Sequence, residues 1–204
     1  MTSRLQEHIA ACSIMNRIAG AKEPAAAPRS SGLAVLADGY RPFFLLAGVV
    51  ATAWVPLWLL VRQGLAEPPD HLAANVWHGH EMVFGYAVAV LAGFLLTAGR
   101  VWTGLPTASG AHLAGLALLW LAGRVLLLAD VAPAAAAAVD LAFLPALAAT
   151  MAVPLLRARN RRNFVFLAVL AALFALNLLV HLGARGAAVW DSQHVFRVAL
   201  DLFA

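Results

Sequence analysis

Cysteine is almost absent from this 204-residue chain: Cys12 stands alone, so neither an intramolecular disulfide nor a cysteine-pair metal site can form. Charge is scarce too. Only 12% of the residues are Asp, Glu, Lys or Arg and 63% are hydrophobic, against about 25% charged in ordinary soluble domains. The mean hydropathy is +0.83. So few charges cannot coat a water-soluble globule of this size, and the surplus apolar surface must meet the lipid bilayer. Also lacking are a Gly-rich phosphate loop, a nucleophile elbow and a basic stripe interleaved with aromatics. Nucleotide hydrolysis, acyl transfer and nucleic-acid binding therefore have no support. The net charge of +4 fits basic cytoplasmic loops rather than a nucleic-acid partner.

What is present is a series of long apolar runs. Crossing roughly 30 Å of hydrocarbon takes about 20 apolar residues in a helix. Runs of that size lie at 43–61, 77–98, 111–129, 134–156 and 163–182, and the segment 194–204 opens a sixth that is too short to span. The runs are continuously apolar rather than alternating, which favours helices over barrel strands. The expected fold is an all-α, polytopic transmembrane bundle of five complete spans plus the start of a sixth, over 38–204. Residues 1–37 lack a signal-peptide core and read as a mobile cytoplasmic tail, with a short amphipathic surface helix at 5–18 as the alternative. Pro56, Pro145 and Pro154 predict kinks, not breaks.

Ten of the fourteen cations fall in the tail, at Arg41, at Arg100, or at Arg157, Arg159, Arg161 and Arg162. Positive-inside bias puts these, and the N-terminus, in the cytoplasm. The start of the second span and the end of the fifth then face outward.

The densest chemical cluster is Trp77-His78-Gly79-His80-Glu81-Met82. On a regular helix His78 and His80 diverge by about 160° and cannot grip one ion together, whereas Glu81 lies about 60° from His78 and could orient it. An interfacial belt of Trp77 and both histidines is the plainer reading. Glu81, Gly85, Ala89, Gly93 and Thr97 recur every fourth residue, which suits close helix packing or, alternatively, a flat porphyrin face. His181 reaches the same external side, with Asn177 one turn earlier in position to hydrogen-bond a ligand histidine. His71 and His194 also fall on that side, while His112 opens the third span at the other. Arg124 and Asp140 lie at similar depths on neighbouring spans and suit a structural ion pair, with a cofactor contact for Arg124 and a proton route through Asp140 as alternatives. Arg197 and Asp201 are expected to pair at i, i+4.

The blocks Gly39-Tyr40-Arg41-Pro42-Phe43-Phe44, Trp77-His78-Gly79-His80-Glu81-Met82, Gly93-Phe94-Leu95-Leu96-Thr97-Ala98, Trp102-Thr103-Gly104, Leu119-Trp120-Leu121-Ala122-Gly123-Arg124 and Arg159-Asn160 appear in this order. Over 39–181 the chain resembles the NnrS family. That resemblance implies a bacterial inner-membrane protein containing haem and copper and acting in the response to nitric oxide and nitrosative stress. It makes His78 and His80, then His181, the candidate metal ligands, with Glu81 and Arg124 as further cofactor contacts. It also implies roughly twice as many spans, so the chain is expected to be a truncated fragment with its C-terminal half missing, or a homo-oligomer in which two copies join to replace that half. The competing function is a non-catalytic membrane transporter or assembly component without metal, and a quinone-linked cytochrome is a third.

Overall fold

The computed structural model describes residues 34–68, 72–129, 131–186 and 192–203. Among these every regular element is helical. Helix α1 runs over Tyr40–Arg62, α2 over Ala74–Thr103, α3 over Gly110–Leu128, α4 over Pro133–Arg157, α5 over Val165–Ala184 and α6 over Ser192–Asp201. The first five, with α5 extended back through a 3-10 turn to Arg161, are long and apolar enough to cross a membrane. The chain is a multi-pass helical membrane protein, with the five spans at the five expected runs.

Sequence punctuation explains the ends. Gly104 takes a left-handed conformation (φ 66°) and returns its N–H to the Arg100 carbonyl, closing α2 in the manner of a glycine C-cap. Pro133 occupies the first turn of α4, where its missing N–H leaves no bond unmade. Pro56, Pro145 and Pro154 all sit inside helices that continue past them.

Helix α2 is central. It packs against α1 and α4, and its first turns also meet α6. Between Glu81 and Ala87 it widens into a π-helical segment, a departure that sequence periodicity did not indicate and that is frequent at functional sites. Below it the core is built from Leu95, Leu96, Leu113, Trp120, Leu147, Met151 and Leu155, all nearly free of solvent contact.

Three further details complete the fold, the last of them a departure from the sequence expectation. The helical unit starts ahead of residue 38, because Ala34–Leu36 forms a 3-10 turn whose Ala34 carbonyl accepts from Arg41 Nη1 at 2.7 Å. Helix α6 is a short helix lying on α5 and the start of α2, with Val195 and Ala199 buried and the Phe196 ring against Gly79. Arg197 and Asp201 are both exposed and no ion pair joins them, since side chains at the surface gain little from pairing. Residues 5–18, Cys12 and His71 lie outside the described residues.

The every-fourth-residue stripe on α2 is a packing face. A Cβ at Gly93 would come within 2.8 Å of the Phe44 ring and 3.2 Å of Phe43 Cβ, whereas one at Gly48 on α1 would meet nothing within 4 Å. Gly93→Leu is therefore expected to cost about 1–3 kcal/mol by overpacking, seen as a lower thermal midpoint in detergent. Gly48→Leu should leave the midpoint unchanged.

Candidate metal centre

Four spans each bring polar groups to one point in the bundle. Helix α2 supplies His80 and Glu81 at the entry to its π-helical segment, α3 supplies Arg124, α4 supplies Asp140, and α5 supplies Asn177 and His181 one turn apart. None of the six is more than 5% exposed. Such groups are costly within an apolar bundle and persist only when paired or ligated.

Asp140 is the hub. Its Oδ1 pairs with Arg124 Nη2, and its Oδ2 lies 2.8 Å from Asn177 Nδ2, 2.9 Å from His181 Nε2 and 3.2 Å from His80 Nε2. His80 is held at both ring nitrogens: Nδ1 lies 3.2 Å from Glu81 Oε1 and Nε2 lies 2.9 Å from Asn177 Oδ1. Arg124 Nη1 is 3.2 Å from Glu81 Oε1, an ion pair without hydrogen-bond alignment. The guanidinium thus bridges two carboxylates, and its carbon sits 5.9 Å from the centre of the Trp120 ring one turn back.

Two glycines make this approach feasible. A Cβ at Gly85 would sit 2.9 Å from Glu81 Oε2 and 3.2 Å from Arg124 Nη1, and one at Gly123 would sit 3.1 Å from Asp140 Cα. Gly85 leaves room for the ion pair. Gly123 lets α3 and α4 close on each other at the depth of Asp140.

His80, Asp140 and His181 offer nitrogen and oxygen atoms that all lie within 4.8 Å of one another, a spacing able to hold a metal ion. Imidazole with carboxylate suits copper, iron, zinc or nickel. Counted in their ionised forms, the two carboxylates exceed the single guanidinium by one unit, so the cluster favours a further positive charge. The contact of Glu81 with His80 Nδ1 directs Nε2 toward Asp140 and His181, the arrangement by which a carboxylate orients a ligand histidine.

Compared with known families, the NnrS protein family matches residues 34–204. The chain belongs to the NnrS family. No curated protein and no solved structure matches it.

Within this NnrS-family chain the residues singled out from sequence divide into two groups. His80, Glu81, Arg124 and His181 converge, together with Asp140 and Asn177. His78 does not join them. Its ring stacks on Trp58 of α1, centroids 4.4 Å apart and planes 6° from parallel, and its buried Nδ1 has no hydrogen-bond partner. Glu81 meets His80 instead of His78, its Oε1 lying 3.2 Å from His80 Nδ1 where the π-helical segment begins. Asn177 reaches across to His80 of α2. Of the other histidines, His112 bonds Thr150 at 3.1 Å and His194 is exposed on α6.

Removing Arg124 strands two buried carboxylates. Arg124→Met should destabilise the protein by about 3–5 kcal/mol, as for other broken buried pairs, measured by denaturant unfolding in detergent. Arg124→Lys should recover only part of this, since an ammonium cannot span two carboxylates as a planar guanidinium does.

Proposed function

We propose that this NnrS-family protein holds copper at His80, Asp140 and His181 and acts, with haem, in the response to nitric oxide and nitrosative stress. The observation that carries the reading is the buried convergence of two imidazole nitrogens on one carboxylate oxygen. Those donors fit a copper ion. Copper held there supplies a redox-active centre for a small gas, which the surrounding apolar helices admit from the bilayer. The chain's own groups do the rest: Glu81 orients His80, Arg124 fixes both carboxylates, and the packed helices keep bulk water out.

Haem does not fit the small-residue stripe of α2. The space a macrocycle would need beside Gly93 is taken by Phe43 and Phe44, and beside Gly85 by Glu81 and Arg124. We assign haem away from that stripe, with His78 as its candidate ligand because its buried Nδ1 has no partner.

We place the protein in the bacterial inner membrane with its N-terminus cytoplasmic. Supporting this, Arg100 contacts Asp38 beside Arg41, and Asn160 in the Arg-rich connection bonds the Trp102 carbonyl, so these cations gather at one end of the bundle. The metal cluster is then near the outer leaflet.

Protein purified in detergent from copper- and haem-replete cells should contain both. His80→Ala, His181→Ala and Asp140→Asn should lose copper, and Glu81→Gln should weaken it about 10–100-fold. His78→Ala should keep copper and lose the haem bands of the reduced-minus-oxidised spectrum. Folded wild-type protein free of both would instead support a metal-free transporter or assembly component.

A further inference from the structure

Resting on the metal reading above, the geometry points to Asn177 Oδ1 as a fourth donor, completing a sulfur-free set of two imidazoles and two oxygens for a divalent first-row metal ion. Asn177 Nδ2 lies 2.8 Å from Asp140 Oδ2, and only an N–H can face a carboxylate oxygen at that distance. The amide oxygen is therefore turned to His80 Nε2, 2.9 Å away.

That orientation creates a conflict which a cation resolves. His80 Nδ1 faces the Glu81 carboxylate, while Nε2 faces both Asn177 Oδ1 and Asp140 Oδ2. All three oxygens are acceptors, and a neutral imidazole has one N–H to give. With that N–H on Glu81, Nε2 faces two oxygen acceptors in a buried site, so a second ring proton or a metal ion must stand between them, and a proton leaves His181 Nε2 outside the bond. A divalent ion among Nε2, Oδ1, Oδ2 and His181 Nε2 turns every one of these contacts into a bond.

Asn177 is placed for this by its own helix. It lies one turn before His181 on α5, so one rigid face presents both an oxygen and a nitrogen donor. It is also 1% exposed, and an amide so deeply buried must have its polar atoms satisfied. Imidazole and oxygen donors without thiolate or thioether suit divalent copper, zinc, iron or cobalt rather than cuprous ion.

Cobalt(II) tests the assignment because its visible bands report the number and kind of donors. Metal-stripped full-length protein in detergent is titrated with cobalt(II) for wild type, Asn177→Leu and Asn177→Asp. The expected result is that Asn177→Leu binds at least about ten-fold more weakly and shows displaced bands, as one oxygen donor is exchanged for solvent. Asn177→Asp should restore four-donor bands and bind more tightly. A structural role alone would weaken binding and leave the bands in place, which would overturn the proposal. So would unchanged affinity in Asn177→Leu, or weaker binding in Asn177→Asp if Asn177→Leu is not recovered folded. Wild-type protein that binds no cobalt overturns the metal reading itself.

Discussion

A carboxylate enclosed by four membrane-spanning helices has no water to solvate it, and the polar architecture of this protein follows from how Asp140 is satisfied. Desolvating such a group costs several kcal/mol even after relaxation. One oxygen is met by the Arg124 guanidinium and the other by an amide and two imidazoles. Because those partners come from α2, α3 and α5, satisfying Asp140 also fixes where these helices stand relative to α4.

The surrounding residues serve that arrangement. The Arg124 guanidinium presents one terminal nitrogen to Asp140 and the other to Glu81, which in turn holds His80. Gly85 and Gly123 admit these groups at distances no larger residue allows. His80 and Glu81 enter the cluster together at the start of the π-helical segment. A packing requirement and a charge requirement are met by the same few positions. The result is a convergence of oxygen and nitrogen atoms with the spacing to hold a metal ion.

Much of this was legible in the sequence, for identifiable reasons. The five spans stood out because charge-free runs of sufficient length have few alternative explanations, and the helices form where those runs lie. The partnership of Arg124 with Asp140 followed from equal depth on adjacent spans, which needs only the helical rise. Asn177 was recognisable as a residue near a histidine by its place one turn from His181. Its bond to His80 on another helix was not, since spacing along one chain says nothing about which helices meet. Nor was the contact of Glu81 with His80 rather than His78 readable, because the angle at which a residue leaves its helix does not fix where a long side chain ends. The Gly85–Gly93 stripe allowed either a protein neighbour or a flat ligand, and only the positions of Phe43, Phe44 and Arg124 decide for the protein.

The Asp140 cluster is proposed as a cation site built without sulfur. X-ray absorption at the copper edge of the purified, copper-loaded protein tests it most directly. The expected result is a first shell of light nitrogen and oxygen neighbours with the outer-shell scattering of two imidazole rings, one of which disappears in His181→Ala. A sulfur neighbour in the first shell, or imidazole scattering unchanged by His181→Ala, would contradict it.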